Sequence, residues 1–213
     1  SLIFQQKFYG KRYVADNFEA INGFSTVADL GFSADYIIND NFKIDLTLMN
    51  GEGYSNLHID NSIKTSLGLN ITPVEKGVIR LYADFDHPAG VWQQLYIGFI
   101  GYKTDKVMIG GEMAYKTNPD KIEGKDSWGI SATGSVKTSE KTEIFGRYDY
   151  CESNKLSEVT SWSYKSDRQF IVAGFQYMYN EYLRMALDYQ GTYPLSKNMP
   201  HADGIFLNVH FRF

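Results

Sequence analysis

Apolar and polar residues alternate one by one along much of the chain. Near the C-terminus, Ile205, Leu207 and Val209 fall on one face of an extended strand, and Asn208 and His210 fall on the other. The same alternation recurs around residues 30–38, 63–71, 79–86, 128–137 and 183–190. A period of two residues predicts β-strands that have one apolar and one polar face.

The pattern predicts eleven strands, each of about ten residues, and a twelfth at the N-terminus. The predicted strands are residues 25–39, 42–51, 62–73, 77–86, 94–104, 106–117, 127–138, 141–151, 168–180, 181–192 and 204–213. The connections alternate between tight turns and longer polar stretches. The tight turns are 39–41, 73–76, 104–105, 139–140 and 180–181, and the long connections are 52–61, 87–93, 118–126, 152–167 and 193–203. Such alternation is typical of up-and-down barrels and is not expected of a Greek-key sandwich.

Composition restricts the class of protein further. Hydrophobic residues make up 43% of the 213 residues and the mean hydropathy is -0.33, yet aromatic residues reach 15%. No run of about 18 apolar residues predicts a transmembrane helix. A single cysteine, Cys151, gives no disulfide framework, and the net charge of -4 with dispersed cations does not indicate nucleic-acid binding.

Two all-β architectures fit the periodicity, a lipocalin-like barrel with apolar residues inside and a transmembrane barrel with apolar residues outside. Aromatic residues crowd the strand ends, for example Tyr36, Tyr102 and Tyr182, as the interfacial girdles of membrane barrels do. The chain also ends on Phe211-Arg-Phe213, which resembles the C-terminal barrel-insertion signal of outer-membrane proteins. We therefore predict an all-β, antiparallel up-and-down transmembrane β-barrel of about 12 strands, with residues 1–213 as a single domain.

The polar face of these strands carries the residues that would line a pore. The predicted pore-lining residues are Lys64, Arg80, Asp84, Glu112, Lys137, Arg147, Asp149, Arg184, Asp188 and Arg212. Both signs of charge occur in similar number, so composition predicts neither an anion-selective nor a cation-selective ring. The charges could equally pair across strands and hold the wall together. Loops 52–61 and 152–167 are the predicted constrictions if they fold inward.

No catalytic or metal site is expected. His58, His87 and His201 fall in separate loops, and His210 lies near the end of the last strand. The sequence contains neither a G-x-S-x-G elbow nor an H-E-x-x-H motif. We therefore expect no enzyme activity and no cofactor.

Three segments near the N-terminus resemble a known family. Residues 5–13 read Gln-Gln-Lys-Phe-Tyr-Gly-Lys-Arg-Tyr, and residues 23–36 and 49–57 extend the likeness. Together they resemble porins of Bacteroidetes related to the phosphate-selective O/P porins. In that family the matching segments lie well inside the chain, so the resemblance implies the C-terminal portion of a longer porin, part of a barrel of 16–18 strands.

These observations predict a porin of the bacterial outer membrane that allows passive diffusion of small polar or charged solutes through a water-filled channel. Its expected partners are the lipid bilayer, small ions or solutes, and a homo-oligomer or outer-membrane complex, without nucleic acid. The alternative is a non-conducting barrel that serves as a scaffold or anchor in an outer-membrane complex.

Overall fold

The computed structural model describes residues 3–25, 30–51, 62–154, 156, 167–197 and 199–212. Within these ranges, eleven strands form one antiparallel sheet in sequence order. The strands are β1 (Gly31–Asn39), β2 (Phe42–Met49), β3 (Lys64–Ile71), β4 (Gly77–Asp86), β5 (Gln93–Lys103), β6 (Val107–Thr117), β7 (Asp126–Lys137), β8 (Thr142–Ser153), β9 (Arg168–Met178), β10 (Leu183–Pro194) and β11 (Ala202–Phe211). Two short helices, α1 (Ile3–Tyr9) and α2 (Phe18–Ile21), precede the sheet.

Side chains close the short turns. The Asn39 side-chain oxygen accepts the backbone N–H groups of Asn41 and Phe42 at 2.9 and 3.0 Å. Asn180 repeats this arrangement in the β9–β10 turn, where it accepts the N–H groups of Tyr182 and Leu183. Such local bonds are the reason that Asn favours turns, and they set the register of each hairpin.

All eleven predicted strands are present, and short and long connections alternate as predicted. The expected twelfth strand at the N-terminus is wrong, because that region contains α1 and α2 instead. Phe4 and Phe8, like Gln5 and Tyr9, are four residues apart, which places each pair on one side of a helix. This helical spacing was the local signal that a strand prediction overlooked.

The strand register gives the sheet two chemically different faces. The outer face is apolar and in contact with solvent in the structure: Leu81, Ile100 and Leu187 are 50%, 62% and 56% exposed. The inner face carries the charged residues, and Arg80 and Asp149 on it are 1% and 0% exposed. Burial of charge on one face and exposure of aliphatic residues on the other is the reverse of a soluble barrel.

Residues 3–25, hereafter the inner segment, cover the inner face. Contacts extend from Arg80 in β4, whose guanidinium lies 5.6 Å from the Phe4 ring, to His210 in β11, which stacks on Tyr13 at 5.3 Å. A flat sheet would separate β4 from β11 by about 34 Å, at about 4.8 Å per strand. One short folded segment reaches strands so far apart because the sheet curves around it.

The two terminal strands are the least covered part of the sheet. Every residue of β1 is exposed, including Phe32 at 86%, and most of β11 is exposed as well. Among the described residues, β1 pairs with β2 and β11 pairs with β10, and no pairing joins β1 to β11.

Candidate functional site

Aromatic residues of the inner segment dock into the inner face at two ends. Phe18 and Phe24 are 0% and 2% exposed, and they pack against Leu95 and Ile97 of β5. At the other end, Phe8 and Tyr9 surround Phe99, also of β5, with ring centroids 5.1 and 5.8 Å apart. Full burial of an aromatic side chain contributes about 1.5–3 kcal/mol, so these residues anchor the segment.

A third apolar contact lies between these anchors. Val14 packs against Phe145 of β8, Phe170 and Val172 of β9, and Ala186 of β10. The middle of the segment is therefore held by β8, β9 and β10.

Glycines of the inner face make room for the anchors. A Cβ atom at Gly101 would lie 2.5 Å from the Phe8 ring, and one at Gly129 would lie 2.9 Å from the Phe18 ring. Both distances are too short for a side chain at these positions. Glycine therefore lets each ring lie directly against the backbone of its strand.

Polar contacts fix the orientation of the segment. The Lys11 Nζ atom lies 2.6 Å from Glu143 Oε1 of β8, and the Tyr13 hydroxyl donates to Gln176 Oε1 of β9 at 2.6 Å. Arg147 Nη1 of β8 donates to the Asp16 backbone carbonyl at 2.6 Å.

Wall cations satisfy backbone carbonyls of the segment. Lys103 donates to the Phe8 carbonyl at 2.8 Å, and Lys116 donates to the Phe24 carbonyl at 3.0 Å. Arg168 donates to the Ile21 carbonyl as well. A buried carbonyl without a hydrogen-bond donor destabilises the fold. These bonds therefore offset the free-energy cost of burying the irregular backbone of the segment.

The strand register places nine of the ten predicted pore-lining residues, all but Arg212, on the inner side of the sheet. Lys64 pairs with Asp84 along neighbouring strands at 3.1 Å. Arg80 binds Asp45 of β2 through two bonds of 2.7 and 3.0 Å that pass over Gly68 of β3. A Cβ at Gly68 would lie 2.4 Å from the Asp45 carboxylate and 2.5 Å from the guanidinium.

The other predicted residues occupy distinct settings. Arg147 binds Asp149 at 2.8 Å, and the buried Asp188 accepts from Asn208 at 2.7 Å. Lys137 is exposed at the turn end of β7 and Arg212 follows the end of β11. The same end holds Arg184, which is half-buried near Lys11 and Glu143. Five of the ten thus engage in direct ion pairs: Lys64, Asp84 and Arg80 pair across strands, whereas Arg147 and Asp149 belong to the same strand.

Glu112 of β6 meets the inner segment at its most buried point. Glu112 is 5% exposed, Glu19 of α2 is 0% exposed, and the two carboxyl groups lie next to each other. The Tyr9 hydroxyl also reaches Glu112. Burial raises the pKa of Glu19 from 4.5 to about 7; the charge of Arg147 lowers it and the charge of Asp149 raises it further, both by less.

Other predicted features fall outside this site or outside the described residues. Loop 52–61 and most of loop 152–167 lie in the ranges that the structure does not describe, as do His58 and Phe213. Phe211 lies on the outer face and is 64% exposed. His201 lies 3.5 Å from Asp203. No group of three or more His, Cys, Asp or Glu residues in the described ranges could hold a metal ion.

The inner segment is the part of the candidate site that the sequence did not predict. The residues of β5 from Leu95 to Tyr102 are apolar on both faces of the strand. The structure explains this pattern. Leu95, Ile97 and Phe99 pack against the inner segment, and the residues between them lie on the outer face of the sheet. A strand apolar on both faces in an otherwise alternating sheet is the signal that something lies inside.

None of the helices in the described ranges is long and apolar enough to cross a membrane. Neither a protein-family model nor a curated protein matches the sequence. Among solved structures, the chain is similar to the crystal structure of the outer membrane channel DcaP of Acinetobacter baumannii, with a TM-score of 0.68 at 10% identity. The alignment covers 87% of this chain and 62% of that channel, so the chain spans less than two thirds of its length. At this identity the likeness establishes the fold, an antiparallel up-and-down sheet like that of an outer-membrane channel.

Proposed function

We propose that this chain forms much of the wall of an outer-membrane channel and that the inner segment narrows its passage. The observation that carries the proposal is the contrast between the two faces. The outer face exposes large apolar side chains on each strand from β3 to β11. They include Leu67, Leu81, Ile100, Ile109, Met113, Ile130, Ile144, Phe175, Leu187 and Leu207. Soluble monomers rarely expose so continuous an apolar surface, and a barrel wall in lipid requires one.

The inner face suits passage of small polar solutes. Its charges are held in place by strand partners and by the inner segment, so solutes would meet a fixed arrangement of both signs. We propose that the predicted pore-lining residues border the passage left beside the segment, as passive channels do. Of the two functions considered, the scaffold gains no support from the comparison, because the similar structure is a channel and not an anchor or an enzyme.

The strand count bears on how the wall closes. β1 and β11 are the first and last of eleven consecutive antiparallel strands, so they run in the same direction. Bacterial single-chain barrels contain an even number of strands, with antiparallel neighbours throughout. We propose that an odd number of further strands lies between β1 and β11, in keeping with a porin of 16–18 strands of the Bacteroidetes type that the N-terminal motifs resemble.

Disulfide cross-linking tests this closure in the protein as cells make it, with Cys151 replaced by Ser. Cysteines at Ser33 and Thr47, which face each other across β1 and β2 with their hydroxyl oxygens 3.0 Å apart, should cross-link readily. Cysteines at Ser33 and Asn208 in β11 should not. Efficient cross-linking of the second pair would show that the eleven strands close on themselves.

Permeation tests the channel itself. The purified protein, reconstituted into liposomes, should admit small sugars or amino acids and cause osmotic swelling, whereas protein-free liposomes should not swell. Membrane fractionation should recover it with the outer membrane. Liposomes that contain the folded protein and remain impermeable would contradict the proposal and would favour the alternative, a non-conducting scaffold.

A further inference from the structure

The deepest contact between the inner segment and the wall is a pair of acidic residues. Glu19 belongs to α2 and Glu112 to β6, and both are almost completely buried. None of their four carboxyl oxygens receives a hydrogen bond from a donor group of the described residues. If both carboxyl groups were ionised, two like charges would be buried side by side without hydrogen-bond donors. The desolvation of such a pair would strongly destabilise the docked segment.

The neighbouring charges do not compensate this pair. Arg147 is the cation nearby, but its Nε and Nη2 atoms bind Asp149 and its Nη1 atom binds the Asp16 carbonyl. Asp149 adds a further negative charge, and the Tyr9 hydroxyl is a neutral neighbour whose pKa is raised by burial and by the two glutamates. One guanidinium therefore faces three carboxyl groups.

A single proton resolves this imbalance. If one carboxyl group is protonated, it donates to the other, and the contact becomes a hydrogen bond instead of a repulsion. The cluster then carries two negative charges, of which Arg147 balances one. Aspartic proteases share one proton between two carboxyl groups for the same reason, since like charges about 3 Å apart cannot both ionise.

We propose that Glu19 and Glu112 share one proton and that this shared proton is a pH-sensitive latch that holds the inner segment against the wall. At acidic pH the latch is closed. As pH rises and the proton leaves, two uncompensated carboxylates repel each other across the boundary between segment and wall, and the segment loosens. Burial raises the pKa of Glu19, so the pair still holds a proton at pH values at which an exposed glutamate is ionised.

The native thiol reports on this transition. Cys151 is 3% exposed and lies in the same cluster as Phe18, beneath the inner segment. A bulky maleimide reaches it only when the segment leaves, so the labelling rate measures the undocked fraction. The rate is normalised at each pH to that of the urea-unfolded chain, which removes the pH dependence of the thiol itself.

The test follows labelling from about pH 5 to about pH 8, because the undocked fraction increases by up to about tenfold per pH unit between the pKa of a freely exposed glutamate and that of the docked pair. Wild type should show this increase. Glu19→Gln and Glu112→Gln should each be nearly flat, because an amide donates to the remaining carboxylate without a proton. Glu123→Gln, at an exposed loop position, should behave as wild type.

Three results would overturn the latch. One is wild-type labelling that does not change with pH, and another is a pH dependence that persists in both glutamine variants. The third is docking that chelators loosen at low pH and that added Ca²⁺ restores, which would mean that a cation neutralises the pair. The latch deepens the proposed channel function, but labelling requires no conductance, so failure of the latch and failure of the channel remain distinguishable.

Discussion

Replacement of Phe18 by Ala should release the inner segment. Phe18 is fully buried, its ring contacts the bare backbone at Gly129, and it lies in the cluster that includes Cys151. Phe→Ala changes at buried sites cost about 3–5 kcal/mol, through lost transfer free energy and the cavity left behind. We expect this cost to fall on docking, because Phe18 contacts the wall from a separate segment.

The expected effect is large enough to measure. Each 1.4 kcal/mol changes an equilibrium by a factor of about ten, so the undocked fraction should rise by between about a hundredfold and a few thousandfold. Labelling of Cys151 by a bulky maleimide in folded protein at fixed pH should accelerate by the same factor, until it reaches the rate of the unfolded chain. A bulky reagent is needed because a small one could enter the cavity that the missing ring leaves.

Phe175→Ala is the matched control. Phe175 lies on the outer face of β9 and is 44% exposed, so its loss removes a similar ring without touching the segment. Its labelling rate should stay close to that of wild type. Equal labelling in Phe18→Ala and wild type, with both proteins folded, would refute the view that this ring holds the segment in place.

Further predictions concern the wall. Gly101→Val should displace Phe8 and speed Cys151 labelling, whereas Gly98→Val on the same strand, where a Cβ meets no atom within 4 Å, should not. Arg80→Met should lower the free energy of unfolding by about 3–5 kcal/mol in urea titrations, because it removes the guanidinium that pairs with the buried Asp45 carboxylate; unchanged stability would contradict the buried ion pair. Since the pKa of Glu19 is raised from 4.5 to about 7, the stability it contributes is complete below pH 4.5 and is lost as pH rises to about 7. The loss should be about 3 kcal/mol in wild type and much smaller in Glu19→Gln, and equal losses in the two proteins would refute the assignment.

The strands were predictable because their signal is local. Alternation at Leu67 and Leu69 or at Leu187 and Tyr189 depends only on the period of an extended chain, and a side chain such as Asn39 marks a turn by bonding to its own neighbours. For the same reason, the inward parity of the nine predicted residues that lie in strands could be read without knowing which strands are neighbours.

The inner segment was not predictable in this way. Its contacts join residues far apart in the chain, such as Lys11 with Glu143 and Val14 with Gln190. The sequence predicted a constriction in loops 52–61 and 152–167, if these long connections between strands fold inward. The signals that pointed elsewhere were indirect: the apolar inner face of β5 and the glycines of the wall.

Single-channel conductance in a planar lipid bilayer, recorded for wild type and for Phe18→Ala, tests the central claim most directly. If the sheet is a channel wall narrowed by the inner segment, wild type should give discrete steps, and Phe18→Ala should give larger steps or frequent transitions to a larger level. If both proteins insert and stay silent, the wall does not enclose a conducting passage. If both conduct with identical steps although labelling shows the segment released, the segment does not narrow the channel.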